Sequence, residues 1–388
     1  MIIQSILDTD LYKFTTSYAY MKMYPDAEGT FSFTDRDKTE YTEDFVKELK
    51  LALCEMSSLY LTEAEEQWAT NNIRFIPQCY WEWLRSFKYQ PSRILVSLDE
   101  NKHLHIEVTD KLYKVTLYEV PILALVSQLR NKMLGNHVNM GEVINRLKTK
   151  VELSNQEQLK FSEFGTRRRF SFAVQEKVIE YIVEHSMYCT GTSNVYLAMK
   201  YGMKPMGTHP HEWFMFHGAI FGYKQANYLS LEDWVNVYDG DLGIALSDTY
   251  TTDVFLKNFS RKHAKLFDGV RHDSGDPFLF TNKVIKRYKE LGIDPTTKTI
   301  IFSNALTFPE YKEIRDFCGN RIRCSAGIGT NLTNDTGFKP SNIVMKLSNC
   351  RINANQPWYT TVKLSDDEGK HMGFEDEVGN CYYELRLT

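Results

Sequence analysis

Cysteine is present in this chain but unorganised. The seven residues are an odd number, scattered at positions 54, 79, 189, 318, 324, 350 and 381, and no Cys-x-x-Cys pair occurs. That pattern suggests neither a zinc knuckle nor a disulfide framework, and a reduced, cytoplasmic setting is the expectation. Long apolar runs are also missing. The stretch 120–126 (Val-Pro-Ile-Leu-Ala-Leu-Val) is among the longest and falls far short of the ~20 residues a membrane span needs. No cationic segment precedes the apolar residues of the N-terminus, so no signal peptide is expected. Nor is there an excess of positive charge: 46 Lys and Arg face 50 Asp and Glu, a net charge of −4, which makes a nucleic-acid partner a poor expectation. Fixed-period repeats and low-complexity tracts are absent, which removes solenoids and propellers.

What remains is an ordinary folding composition, 43% hydrophobic and 25% charged over 388 residues, long enough for a large α/β domain with a second domain attached. The first ~120 residues mix strand and helix patterns. Phe31 and Phe33 alternate with polar neighbours, as do Tyr113, Val115 and Leu117, and both segments read as strands. Pro121 stands where a first helical position would be, before Ile122, Leu125, Val126 and Leu129 at helical spacing. From about residue 200 the pattern becomes strand-then-helix, repeatedly. Strand readings at 204–208, 244–248, 267–271 and 298–303 each precede a helical stretch. The first helix runs over 211–228, and the last two close at Gly292 and Gly319. Further strands are expected at 321–326, leading into a Gly327-Ile-Gly329-Thr330 loop, and at 342–347.

Short strands separated by helices imply parallel pairing, because a parallel crossover needs a dozen or so residues. Periodicity alone does not choose between an open doubly wound sheet and a closed barrel. It does place the chemistry, since α/β enzymes build their sites on the loops after the C-terminal ends of strands. Those loops here carry Thr208-His209-Pro-His211-Glu212, Ser247-Asp248-Thr249, Arg271-His272-Asp273-Ser274-Gly275-Asp276, Ser303-Asn304 and Gly327-Ile-Gly329-Thr330. Glu163-Phe164-Gly165-Thr166-Arg167-Arg168-Arg169 and Thr190-Gly191-Thr192-Ser193-Asn194 join them from upstream. Small residues, hydroxyls, carboxylates and cations in such loops suit several phosphates and a divalent ion.

In order along the chain, Asp8-Thr-Asp10-Leu-Tyr12-Lys13, Phe164-Gly165-Thr166-Arg167, Gly191-Thr192-Ser193-Asn194, Gly207-Thr208-x-x-His211-Glu212-Trp213, Leu246-Ser-Asp248-Thr and Arg271-His-Asp273-Ser-Gly275-Asp276-Pro resemble the nicotinate phosphoribosyltransferase family. The resemblance implies a type II phosphoribosyltransferase: an irregular α/β barrel over about 126–347, with a smaller α+β domain over 1–125 that part of 348–388 completes. It further implies a homodimer with shared active sites. The implied reaction joins nicotinate to phosphoribosyl pyrophosphate, releasing pyrophosphate, with ATP as co-substrate, Mg²⁺ as cofactor and a phosphohistidine as intermediate.

The resemblance also assigns roles. His211 is the phosphorylated residue, a choice that suits a neutral imidazole near pH 7. Asp248 orients it and holds Mg²⁺, directly or through water. Asp273 binds the ribose; Asp276 is a weaker candidate, and for both the bland alternative is capping of the following helix. Tyr12 and Phe164 stack the pyridine ring, with Tyr12 reaching in from the other subunit, and Arg271 meets the ring substituent. Arg167 contacts phosphates, while Arg168 and Arg169 read as a solvated or salt-bridged run. Ser303 contributes to the site, but Asn304 stands where several relatives carry an acid. Gly327, Gly329 and Thr330 cradle a phosphate. Relatives that use nicotinamide carry Asp where this chain has Ser193, so Ser193 favours the acid as substrate. His209 reads as structural. The rival readings are a phosphoribosyltransferase acting on nicotinamide or quinolinate, a silent regulatory relative, and a metal-dependent barrel hydrolase. The hydrolase would be built on His209, His211, His217, His263, His272 and Asp273.

Overall fold

The computed structural model describes residues 1–367 and 371–387. Its strands, in chain order, are β1 (Glu28–Asp35), β2 (Ile94–Leu98), β3 (Leu104–Lys111), β4 (Phe161–Glu163), β5 (Cys189–Thr192), β6 (Ile244–Leu246), β7 (Gly269–His272), β8 (Thr299–Phe302), β9 (Arg323–Ile328), β10 (Ile343–Arg351) and β11 (Tyr359–Thr360). The class is α/β, with a parallel sheet and a separate antiparallel one. The chain divides into two compact units. One comprises Met1–Tyr18, Thr30–Gly207 and Ile328–Lys346; the other comprises Ala19–Gly29, Thr208–Gly327 and Leu347–Thr388.

In the first unit β2 and β3 pair antiparallel, Ile94 opposite Val108 and Leu98 opposite Leu104. Along β3, Leu104, Ile106 and Val108 are buried while His105, Glu107 and Thr109 are exposed, the period-2 pattern of a sheet with one wet face. The apolar run 120–126 lies in the helix Glu119–Met133, buried on almost every side. It is a core helix, and none of the described helices is long and apolar enough to cross a membrane. The helix Glu43–Met56 is amphipathic, capped by Thr42, whose hydroxyl accepts from Phe45 N–H; it buries Phe45, Val46, Leu49 and Leu53. β4 and β5 pair parallel in the same unit.

In the second unit β6, β7, β8 and β9 run side by side in parallel. Leu246 pairs with Arg271 and His272 with Phe302, so neighbouring strands end nearly level. Gly269 makes that packing possible, because a Cβ there would lie 1.9 Å from the Thr299 carbonyl oxygen. The helices Thr252–Asn258, Pro277–Glu290 and Phe308–Cys318 start at side-chain caps from Thr251, Asp276 and Thr307.

Several local expectations are corrected. Residues 113–118 are helical, within Leu112–Val115 and the 3₁₀ turn Thr116–Tyr118. Val115, Thr116, Leu117 and Tyr118 are buried consecutively, which a one-faced strand cannot do, and the turn feeds directly into the next helix. Pro121 is the third residue of its helix rather than the first; the first turn has no intrahelical N–H bonds to lose there. The segment 204–208 makes only the isolated bridge Thr192 to Pro205, since proline has no N–H with which to extend a ladder. The helix read over 211–228 is two helices, His211–Phe221 and Tyr223–Tyr238, broken at Gly222 with φ +88°. β9 runs on through Gly327, which is therefore a strand residue and not a loop residue. The strand expected at 342–347 is β10, and it belongs to the antiparallel sheet.

Candidate active site

The level strand ends of the second unit assemble a polar cluster. Asp248 follows β6 by two residues, while Asp273 and Ser303 immediately follow β7 and β8. His211 is the first residue of its helix, after Pro210. Its Nε2 lies 3.0 Å from Asp273 Oδ2 and 3.8 Å from Asp248 Oδ1, and its Nδ1 lies 3.0 Å from Thr249 Oγ1. Ser303 donates to Asp273 Oδ1 at 2.6 Å, and Ser274 donates to Asp248 Oδ2 at 2.6 Å. Arg271 donates to Thr208 Oγ1 and to the His209 carbonyl, and its guanidinium stands 3.7 Å from Asp273.

Electrostatics tune the cluster. Burial, then the Lys363 ammonium, pushes the His211 imidazole down to about 4 despite two carboxylates nearby, so the ring is neutral at pH 7. Burial acts to raise Asp248, but Lys363 and His211 outweigh it and hold the carboxyl below its ordinary value. Asp273 is likewise opposed by burial, and Arg271 and His211 take it well below the carboxylate range. The acids are therefore ionised and the base bare, the protonation pattern that nucleophilic histidine chemistry needs.

Lys363 was not singled out from the sequence. Its Nζ lies 2.9 Å from His211 Nε2 and 3.6 Å from Asp248 Oδ2. Nothing in Thr361-Val362-Lys363-Leu364 distinguishes it from a strand-edge lysine, and it stands 152 residues from His211. Asp276 accepts from Phe278 and Leu279 N–H and caps its helix, whereas Asp273 faces the histidine. His209 packs among Trp234, Phe214 and Phe267, with neither ring nitrogen hydrogen-bonded; burial and Arg271 lower it to about 3.

The donors of the hydrolase reading are dispersed. His217 is tied to Asp233 and the Trp213 carbonyl, His263 to Glu232, and His272 to the Gly275 carbonyl. Among the described residues, the one group of three or more side chains that could hold a metal is His211, Asp248 and Asp273. The buried Asp248 Oδ1 has no hydrogen-bond partner, and hard carboxylate oxygens suit Mg²⁺.

The first unit holds a second polar cluster. Ser193 donates to Asp10 Oδ1 at 2.7 Å. Burial raises the Asp10 carboxyl, with the charge of Arg167 opposing. Glu163, pushed up to about 7 by burial, accepts from Thr192 Oγ1, Gly165 N–H and Gln175 Nε2. Arg167 lies 3.6 Å from Glu119, which also pairs with the buried Lys13. Arg169 is no surface charge: it is wholly buried and bidentate to Asp8 at 2.6 and 2.9 Å. Asp8 in turn accepts from Asn194, which caps the helix Val195–Tyr201 beside Ser193.

Glycine is required at Gly165, where a Cβ would sit 2.1 Å from Thr333 Oγ1 and 2.8 Å from Glu163 Oε1. At Gly329 a Cβ would meet the Phe164 carbonyl at 3.0 Å. Phe164 is half-buried, its N–H donating to the Ile328 carbonyl, and the Tyr12 ring lies 5.0 Å from Lys13 Nζ. Thr330 opens the short helix Thr330–Thr333.

Comparison with known proteins adds to this geometry. A model of the nicotinate phosphoribosyltransferase (NAPRTase) family matches residues 159–381, and a model of the family's N-terminal domain matches 7–127. The nicotinate phosphoribosyltransferase of Desulforapulum autotrophicum is 43% identical over 385 residues, covering 98% of each chain. That of Chromohalobacter salexigens is 42% identical, covering 100% of this chain and 99% of its own. Among solved structures, nicotinate phosphoribosyltransferase from Porphyromonas gingivalis superposes with a TM-score of 0.98 at 48% identity, covering 99% of this chain and 100% of that one. The Vibrio cholerae enzyme gives 0.93 at 32% identity, covering 100% of this chain and 94% of that one. Two models of one family span most of the sequence and the relatives match it over nearly its full length, so the chain belongs to the nicotinate phosphoribosyltransferase family.

Proposed function

We propose that this enzyme joins nicotinate to phosphoribosyl pyrophosphate, for pyridine nucleotide and NAD synthesis, and couples the step to ATP through phosphorylation of His211. One observation carries the coupling: an imidazole held neutral at a strand-end cluster, its Nδ1 at 3.0 Å from the Thr249 hydroxyl and its Nε2 flanked by the carboxylates of Asp273 and Asp248. Displacement at the ribose C1 passes through an oxocarbenium-like state while pyrophosphate departs, so alignment and charge placement do most of the work. Asp273, held ionised, takes the ribose hydroxyls and favours the developing positive charge. Arg271 meets the nicotinate carboxylate. Tyr12 and Phe164 supply aromatic faces, a contribution of ~1 kcal/mol beyond burial for each offset stack. Tyr12 does so from the other subunit of a homodimer. Arg167 and the segment Gly327, Gly329 and Thr330 receive phosphate oxygens, and Ser303 steadies Asp273.

Asp248, whose buried Oδ1 has no hydrogen-bond partner, would hold Mg²⁺ directly or through water, and the ion would supply positive charge to the departing pyrophosphate. Ser193 supports nicotinate over nicotinamide, because its hydroxyl adds no charge against a carboxylate and serves as donor to Asp10.

The test is incubation with γ-labelled ATP and Mg²⁺, followed by product analysis with nicotinate and phosphoribosyl pyrophosphate, with and without ATP. An acid-labile protein phosphate, lost in His211→Ala, is expected. Full labelling of that variant would overturn the assignment.

A further inference from the structure

The two nearest neighbours of His211 Nε2 make incompatible demands. Asp273 Oδ2, at 3.0 Å, offers only lone pairs and asks for an N–H; Lys363 Nζ, at 2.9 Å, offers only N–H groups and asks for a lone pair. A neutral imidazole carries one proton, so Nε2 satisfies one of them. Asp273 has another hydrogen-bond donor, Ser303 Oγ at 2.6 Å from its Oδ1, and the Arg271 guanidinium stands 3.7 Å from its Oδ2 as a charge partner. Lys363 does not share that freedom. Among the described residues Nε2 is its one acceptor within hydrogen-bond distance, Asp248 standing off at 3.6 Å, and the lysine is buried. Placing a proton on Nε2 would set donor against donor beside an ammonium whose other anionic partner among the described residues, Asp248 Oδ2, is 3.6 Å away. The opposite nitrogen agrees: Nδ1–H has the Thr249 hydroxyl oxygen at 3.0 Å as acceptor.

Backbone bonds fix the lysine in this place. Lys363 pairs with Met372 through N–H to carbonyl bonds of 3.0 and 2.7 Å. Leu364 N–H donates to the carbonyl of Thr249, the residue that also holds His211 Nδ1. Asp366 N–H then donates to Ser274 Oγ, and the Asp367 carboxylate accepts from Gly275 N–H.

We infer that Lys363 is a positioning residue that fixes His211 in the tautomer protonated at Nδ1, leaving Nε2 as the atom that receives the phosphoryl group. The tautomer rests on these distances around a neutral ring; the attachment atom rests on the phosphohistidine reading above. In that step the Nε2 lone pair attacks the γ-phosphorus of ATP. The N–P bond forms, the bond from phosphorus to the bridging oxygen breaks, and its electron pair leaves with ADP. The Nδ1 proton stays in place on its bond to Thr249. Lys363 then faces the bound phosphoryl oxygens instead of a lone pair.

The tautomer is read directly from ¹⁵N–¹H correlation spectra of the full chain labelled at histidine nitrogens, without ATP, with His211→Ala supplying the assignment. Protonation at Nδ1 in the wild-type protein is expected, switching toward Nε2 in Lys363→Met and restored in Lys363→Arg. Protonation at Nε2 in the wild-type protein, or an unchanged tautomer in a folded Lys363→Met, would overturn the role of Lys363. The wild-type spectrum decides even where a variant does not fold. With ATP, the phosphorylated ring is expected to be the Nε2 isomer, and its rate of formation to fall about a hundredfold in Lys363→Met. An Nδ1 isomer overturns the attachment atom while leaving phosphohistidine intact; absence of any labelling refutes the phosphohistidine reading, and the tautomer is still judged from the unliganded spectra.

Discussion

Arg169→Met tests how the first unit holds its polar segments in place. Arg169 and Asp8 are both fully inaccessible, 0% and 0%. The guanidinium makes two charge-assisted bonds to the carboxylate, at 2.6 and 2.9 Å, and two more to Gln175 Oε1 and the Ile2 carbonyl, at 3.1 and 3.3 Å. Removing one partner of a buried pair costs about 3–5 kcal/mol, mostly through the charge left behind. Asp8 keeps two donors, Gln4 N–H and Asn194 Nδ2, so the lower end, ~3 kcal/mol, is expected. At about 2–4 °C per kcal/mol for units of this size, thermal melting should fall by roughly 6–12 °C. Asp8→Leu combined with Arg169→Met should be less destabilised than the sum of the single changes by ~2 kcal/mol, because the double variant buries no unpaired charge. Since Asn194, the residue beside Ser193, donates to Asp8, the KM for nicotinate should rise in the single variant. A melting temperature within about 2 °C of wild type, or strict additivity, would refute the reasoning.

Acid sensitivity should trace to buried histidines. His209 is lowered to about 3 when folded, so between its unfolded value and that pH the unfolded chain holds a proton the folded one does not; stability is lost as pH falls below ~6.5. At pH 5 this amounts to about 2 kcal/mol, and urea melts of His209→Leu should gain that much on wild type between pH 8 and 5; an unchanged gap counts against it. Asp248→Asn removes the carboxylate facing Lys363 and His211 and should slow labelling from ATP about a hundredfold while weakening the response of activity to Mg²⁺; wild-type labelling would exclude its role. Ser193→Asp sets a second carboxylate against Asp10, a pair that must share one proton. Melting temperature and the preference for nicotinate over nicotinamide should both fall, and an unaltered substrate ratio would discard the specificity argument.

Much of this was legible in the residues alone, because it depends on neighbours in sequence. The strand-then-helix alternation after residue 240, the closures at Gly292 and Gly319, and the polar loops holding His211, Asp248 and Asp273 follow from local periodicity and turn chemistry. Local pattern misled at 113–118, where a six-residue alternation fits a helix turn as well as a strand and burial chose the helix. It misled again at Arg169, which lies in a run of arginines like any solvated patch until Asp8, far upstream, folds onto it. Tertiary structure alone brought Lys363 to His211, set Ser193 against Asp10 and separated Asp276, a helix cap, from Asp273, a histidine partner. The physical reason is common to all of these: periodicity and capping act over a few residues, whereas the pairing of buried charges depends on which distant segments share a volume from which water is excluded.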